Sequence, residues 1–522
     1  MSHHPFHPII YVRGFAGSQG EVEDTVADPY MGFNIGSTKV RQTWTGEIRK
    51  FFFESPMVRL FKEHDYDDVY IDGLDQVLDP RATEPVPYRS LIIYRYYEVA
   101  SKQLGTGKLP EMEDYARGLS DLILKLRDKV CAHKPNRVKP EEFRVYLVAH
   151  SMGGLVCRAF LQNKKLGDPA ARQAVDKVFT YATPHNGIDV QLIGNVPNWA
   201  SYHNLNDFNR SRMAEYLNLK EEFKKSDDAS ALKEFDPNRI FNLVGTNARD
   251  YAVAMGAAKA LAGDLSDGLV RIENAVTHGI VNGQRVNSPR AFVHRSHSGH
   301  FGIVNSEEGY QNLARFFFGN VRVDGTLLVD RLTLPPKVQK AHDAGKQVRA
   351  SYHFEVIVSV RGKQWQMHRR TVGENSAVFR KFDDLFQPDK TPNRAKSPQL
   401  FSLFLDGRQR VVTTRRSLGF AVDLTVLVPD YEVDGFLFLN DHYEGGYLFR
   451  DRVYVEATPP EKEGGDWKIQ YGYESRTPNA ADQPAAVAVT GTGIEFDIPV
   501  QQPNPPGIEA RLRIAAQGWN NA

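Results

Sequence analysis

Ser151 stands among small residues, with Ala149 two positions before it and Gly153 two after. Here the β-prone run VYLVAH gives way to the helical run MGGLVCRAFL. A serine hydroxyl is a poor nucleophile until a base takes its proton and donors stabilise the oxyanion it generates. A tight strand-to-helix turn serves both needs. It lifts the hydroxyl above the sheet and leaves the first N–H groups of the helix free to bind an anion. The positions around such a turn must be small, and AHSMGG is G-x-S-x-G with alanine at the first glycine. Ala149, His150 and Gly153 then form the elbow around Ser151. A serine that only caps the following helix would leave a similar local pattern, so the downstream residues decide between the two.

A nucleophile of this kind requires an acid and then a base later in the chain. Asp267 lies in a Ser-Asp-Gly turn after the strand-like run RIFNLVGT, with Asp264 as a neighbouring alternative. A carboxylate on a short loop after a strand can orient a distant imidazole. His300 follows the next strand, AFVHRS, and precedes a helix beginning near Ser306. It is the expected base, with His297 its competitor and His294 a structural histidine at the strand end. His150 is expected to pack or hydrogen-bond beside the elbow, and His185 to be a loop residue. The oxyanion needs two N–H donors. Met152, directly after the serine, is one. Phe15, on the glycine-flanked loop VRGFAGS, is the other, with Ala16 the alternative.

The elements that must hold these residues read clearly. From Pro8 to about Gly319, apolar strands alternate with helices, the pattern of a mostly parallel sheet covered on both faces. The segment 112–130 carries Leu119, Leu122, Ile123, Leu126 and Val130 at helical spacing. Two segments, about 19–89 and 188–238, are too long for simple connections. The first contains Phe51, Phe52 and Phe53, and the second Trp199. Phe51, Phe52 and Trp199 are candidate substrate-pocket residues, although a helix packed on the main sheet would explain the phenylalanines as well.

After about Val321 the period changes to two. Tyr352, Phe354, Val356, Val358 and Val360 share one strand face, as do Phe420, Val422, Leu424 and Val426, and Ile508, Ala510, Leu512 and Ile514. Such alternation between Gly- and Pro-rich breaks marks half-buried antiparallel strands. The expected organisation is a catalytic α/β domain over 1–324 and a β-sandwich-like domain over 325–522.

Composition narrows the alternatives. The 522 residues are 41% hydrophobic and 25% charged, and 65 basic residues face 64 acidic ones, for a net charge of +1. No general electrostatic case exists for nucleic acid. Cys131 and Cys157 make neither a disulfide framework nor a metal pair, and Cys157 fits a buried core position. The sequence gives no ligand set for a metal. The N-terminal stretch has no signal-peptide pattern, and no apolar run approaches the ~18 residues of a membrane span. The expected location is the cytoplasm, with non-classical export left open.

The ordered set VRGFAG, VAHSMGG, YATPHNG, SDGLV and GHFGIVNSEEGYQNLARFFFG resembles the lipase and esterase branch of the α/β-hydrolase fold, over about residues 8–319. The family usually has His-Gly at the oxyanion loop, where this chain has Arg13-Gly14. The resemblance implies an acyl-enzyme mechanism without a cofactor. The two apolar insertions point to a lipophilic ester substrate and are compatible with transient contact at a lipid interface. An acyltransferase, thioesterase or phospholipase on the same residues, or a non-catalytic binding protein on the scaffold, are the rival readings. Oligomeric state and the role of the C-terminal domain are left open.

Overall fold

The computed structural model describes residues 4–16, 18–42, 45–188, 205–248, 267, 269–299, 302–387, 389–409, 416–434, 440–459, 467–491 and 493–520. The chain forms two compact units. One comprises Met1–Arg290 and His294–Phe317, the other Ala291–Val293 and Phe318–Ala522.

The first unit is built on a seven-stranded sheet, of which one edge strand falls mostly among the residues of the second unit. Its strands are β1 (Ile9–Val12), β2 (Asp67–Asp68), β3 (Ser90–Ile93), β4 (Val145–His150), β5 (Val175–Tyr181), β6 (Ile240–Gly245) and β7 (Arg290–Val293). Their spatial order is β7-β6-β5-β4-β1-β3-β2. The pairs from β2 across to β6 are parallel. Ile9 to Val12 and Val145 to Ala149 are buried throughout, as a strand covered on both faces requires. Helix α1 (Met112–Ala132) buries Leu119, Leu122, Ile123, Leu126 and Val130, the stripe expected from its spacing. Burying each such side chain contributes roughly 1.5–3 kcal/mol. Helix α2 (Met152–Gln162) is buried along its whole length.

The registers set the upper edge of the sheet. Val12 pairs with Ala149 and His150 with Tyr181, so the ends of β1, β4 and β5 lie side by side. Helix α3 (Glu307–Phe318) starts at Ser306, whose hydroxyl accepts from Gly309 N (3.0 Å).

The region 19–89 is partly ordered into secondary structure of its own. It holds a helix at Gln19–Ala27, an antiparallel pair Ser37–Gln42 and Ile48–Phe53, and a helix at Pro56–His64. Ser55 caps that last helix and accepts from Val58 N at 3.2 Å. Arg59 on the helix pairs with Glu307 (2.6 Å) and Glu63, and Tyr310 donates to Glu63 at 2.8 Å, tying it to α3.

The second unit consists of two antiparallel sheets. One runs, in spatial order, Gln399–Leu405, Val321–Thr333, Gly507–Gly518, Gly493–Gln502 and Val487–Val489. The other runs Gln366–Arg370, Val348–Val360, Leu418–Asp434, Asn440–Thr458, Lys468–Tyr473 and Gln483–Pro484, with Val378–Lys381 also on Val348–Val360. Both contribute to one core containing Phe354, Val356, Val422, Leu424, Leu512 and Ile514. The alternation in the sequence therefore corresponds to a sandwich with its inward faces apolar. The strand Val321–Thr333 pairs wholly within this unit.

Among the described residues no helix is long and apolar enough to cross a membrane.

Candidate active site

β4 ends at His150 and α2 begins at Met152, which leaves Ser151 alone to make the turn. Its backbone lies at φ 52°, ψ −124°, a region that L-residues other than glycine rarely occupy. The strain is held by close packing on every side. A side chain at Gly153 would place its Cβ 2.3 Å from Val12 O, and one at Gly154 would lie 2.2 Å from Thr183 Oγ1. At Gly14 a Cβ would stand 2.8 Å from Ser151 Cβ. Ser151 N donates to Tyr181 O at 2.9 Å, which pins the turn to β5.

The residue joined to Ser151 is His297. Its Nε2 lies 2.9 Å from Ser151 Oγ, and its Nδ1 lies 3.0 Å from Asp267 Oδ2. An ionised carboxylate only accepts, so Nδ1 carries the proton and Nε2 is left to accept from the serine hydroxyl. Ser151, Asp267 and His297 are all almost fully buried. The other Asp267 oxygen, Oδ1, accepts from Leu269 N (3.0 Å) and Val270 N (2.8 Å), which fixes the carboxylate plane. His297 N donates to Asp267 O at 3.0 Å, so the acid and imidazole loops are joined along the backbone as well.

His300, the expected base, lies outside the described residues together with Asp264 and Trp199, whereas His297, its competitor, stands beside Ser151. His297 takes the bridging position because β7 ends at Val293. Four further residues then bring an imidazole over the elbow while its N–H reaches the Asp267 loop. His294 is exposed and lies 3.4 Å from Thr246 Oγ1 through Nδ1.

The loop after β1 passes close to the elbow. Ala16 N donates to Tyr97 Oη at 2.8 Å, so this N–H is engaged. Met152 is the first helical residue, and its N–H has no acceptor within α2. Tyr96 Oη donates to Arg13 O (2.8 Å), and Arg13 Nη1 donates to Met31 O (3.1 Å). Arg13 therefore braces the loop through its side chain and its carbonyl. The sequence offered no sign of Tyr96 and Tyr97 in this part beyond an aromatic run after β3.

His150 and His185 have defined places. His150 is half-buried, and its Nε2 donates to the carbonyl of His297 at 2.9 Å. Burial, reinforced by the neighbouring His297 ring, pushes its pKa down to about 3, so it is neutral. His185 is fully buried against Thr180 Oγ1 (3.2 Å) and Asn242 Nδ2 (3.1 Å), and its carbonyl accepts from Arg158 Nη1 at 2.8 Å. It is a core histidine rather than a site wall. Cys157 is buried and its thiol pKa raised by burial.

The phenylalanine run departs from the pocket expectation. Phe51 to Phe53 form a strand, not a helix, and the two-residue period separates them. Phe53 is buried, Phe51 is half-buried and Phe52 faces solvent. An exposed side chain cannot line an enclosed acyl pocket.

Among the described residues no group of three or more His, Cys, Asp and Glu side chains is arranged to hold a metal ion.

The parallel sheet, the strained serine between β4 and α2, and the aspartate and histidine that follow β6 and β7 have the arrangement of an α/β-hydrolase fold. Residues 105–233, which include the elbow, match the PGAP1-like alpha/beta domain family. No curated protein matches the chain. Similar solved structures include the mature form of Bacillus licheniformis lipase BlEst2. It is 16% identical, covers 60% of this chain and 92% of its own, and has a TM-score of 0.27. The propeptide form of that lipase is 12% identical over 90% of this chain and 96% of its own, with a TM-score of 0.27. Phospholipase PlaB from Legionella pneumophila, solved with thio-NAD, is 12% identical over 84% of this chain and 89% of its own, with a TM-score of 0.28. The fold assignment rests on strand order and elbow, not on these likenesses.

Proposed function

We propose that the protein is a serine hydrolase of lipophilic carboxylic esters, working through Ser151, His297 and Asp267. The observation that carries this reading is the unbroken path Ser151 Oγ–His297–Asp267, at 2.9 and 3.0 Å, on a serine held in a strained turn. His297 takes the proton of Ser151 as Oγ attacks the ester carbonyl. Asp267 holds the imidazole and stabilises its charged form. The N–H groups of Phe15 and Met152 receive the tetrahedral oxyanion. His297 then returns the proton to the leaving alcohol, which departs and leaves an acyl-serine. Water, deprotonated by the same imidazole, releases the acid. No step requires a cofactor.

Labelling with a fluorescent fluorophosphonate tests the reading. Wild type should label, Ser151→Ala and His297→Ala should not, and turnover of p-nitrophenyl esters should rise with acyl length. A folded wild type that stays unlabelled, with and without detergent micelles, would overturn it.

A further inference from the structure

The antiparallel pair Ser37–Gln42 and Ile48–Phe53 is a hairpin with an unusual outer face. Its register sets Thr38 against Phe52, Val40 against Lys50 and Gln42 against Ile48. Paired residues share a face, and so do residues two apart along a strand. Val40, Ile48 and Phe52 therefore lie on one side of the ribbon. All three face solvent, with fractional exposures of 62%, 63% and 75%. Single exposed apolar residues are ordinary, but three aligned on one small ribbon form a patch.

The charge on that ribbon is mostly positive. The segment 37–53 contains Lys39, Arg41, Arg49 and Lys50 against one acid, Glu47. Lys50 stands on the apolar face, and Arg49 is exposed at 61% beside Glu47. The chain as a whole is nearly neutral, with a net charge of +1. The excess of positive charge is thus local: Lys50 shares the apolar face, and Lys39, Arg41 and Arg49 stand on the other face of the same narrow ribbon. Apolar side chains that can sink into the acyl boundary, on a ribbon with a surplus of cations, match the surface of a bilayer containing anionic lipid.

The root of the hairpin is fixed. Phe53 is buried, and Ser37 Oγ donates to Asn305 O at 3.2 Å. Asn305 lies between His297 and α3, so the ribbon is anchored to the loop that follows the imidazole of the site.

We infer that this hairpin docks the protein on anionic lipid surfaces through Val40, Ile48 and Phe52, with Lys50 on the same face meeting the negative headgroups and Arg49 behind it adding longer-range attraction. The inference deepens the reading of the site as a hydrolase of lipophilic esters, because docking would bring such esters to it. Its test is read without turnover.

Full-length Ser151→Ala protein is floated with vesicles of phosphatidylcholine alone and of phosphatidylcholine mixed with phosphatidylglycerol. The protein should partition onto the mixed vesicles, at least roughly tenfold better than onto the neutral ones, with the preference lost at high salt. Val40→Ser, Ile48→Ser and Phe52→Ser together should reduce partitioning roughly tenfold or more. Arg49→Glu with Lys50→Glu should abolish the preference for the anionic vesicles. In the Ser151 background both sets should hydrolyse a short, soluble p-nitrophenyl ester within about twofold of the parent rate. Because these residues are exposed, the variants should fold; should the serine set not fold, the charge-reversed pair alone decides. Three results would overturn the inference: no partitioning of the parent, partitioning unchanged by either set, or loss of short-ester turnover on hairpin substitution. The first would assign the patch to a protein partner and the last to the substrate pocket. Failure of the esterase reading would show instead as absent short-ester turnover in a parent that still floats.

Discussion

The Nε2 of His150 donates to the backbone carbonyl of His297 at 2.9 Å, and the two rings stand 5.0 Å apart. The residue before the serine thus holds the main chain of the histidine whose Nε2 meets the serine hydroxyl. Its other nitrogen, Nδ1, faces Gly14, where a Cβ would come within 3.0 Å of it. One neutral imidazole touches both His297 and the loop after β1. Replacing His150 by alanine should lower kcat roughly tenfold, the scale of one lost hydrogen bond to a buried carbonyl, with little change in KM. Glutamine, whose amide can donate to the same carbonyl, should recover most of the loss. Steady-state kinetics on a soluble ester checks both. Equal losses for the two variants would show that only the ring's packing matters.

The base itself can be told apart from its neighbour. His297→Ala should reduce kcat by roughly 10⁵-fold or more, as removal of a triad member does. His300→Ala should stay within about tenfold of wild type. Asp267→Asn should fold normally and lose roughly 10⁴-fold, because the amide favours the wrong imidazole tautomer. A large loss on substitution of His300 with His297→Ala still active would move the base back to His300.

Gly153 is a sharper packing probe than any residue of the core. An alanine there would put its Cβ 2.3 Å from Val12 O and 2.5 Å from Arg13 O, and both oxygens belong to backbone that cannot yield cheaply. Gly153→Ala should lower stability by about 1–3 kcal/mol or prevent folding, and the part that folds should not label with fluorophosphonate. A thermal melt alongside labelling reads both.

Stability should also fall with acid, for a reason separate from chemistry. Burial pushes His7 and His150 each down to about 3 and takes His185 well below its ordinary 6.5. In the unfolded chain all three take up protons near 6.5, whereas in the folded chain they do not until far lower. The stabilisation from keeping them neutral is complete above about pH 6.5 and is lost as pH falls from there towards 3. Each contributes at most about 1.4 kcal/mol per pH unit within that window. Urea midpoints measured down the pH scale should decline below about pH 6.5, and His150→Gln should make the decline shallower.

What could be read in the sequence follows the range of the forces involved. The elbow was legible because its steric demand is local: small residues must flank Ser151 whatever lies elsewhere. The parallel sheet and the sandwich were legible because burial imposes a period on each strand. The choice between His297 and His300 was not, because it depends on where a loop of a few residues carries each ring. HRSHSGH offers three imidazoles without saying which one faces the elbow. The Phe51–Phe53 run misled for a related reason. Aromatic residues in succession suggest a lined pocket, but on an isolated hairpin the pleat sends alternate rings outward. The hydrogen bonds of Tyr96, Tyr97 and His150 join residues far apart in the chain and leave no periodic trace.

The imidazole reaches Ser151 across 146 positions of sequence, and it hangs from β7, an edge strand of the sheet. A peripheral strand has a neighbour on one side only, so it is among the first elements to open when a protein breathes. The site is therefore only as durable as the border of the sheet. As denaturant rises, catalytic competence should disappear while β1 and β4 still resist hydrogen exchange, and esterase assays would register the fraying of this rim well before spectroscopy reports that the molecule has come apart.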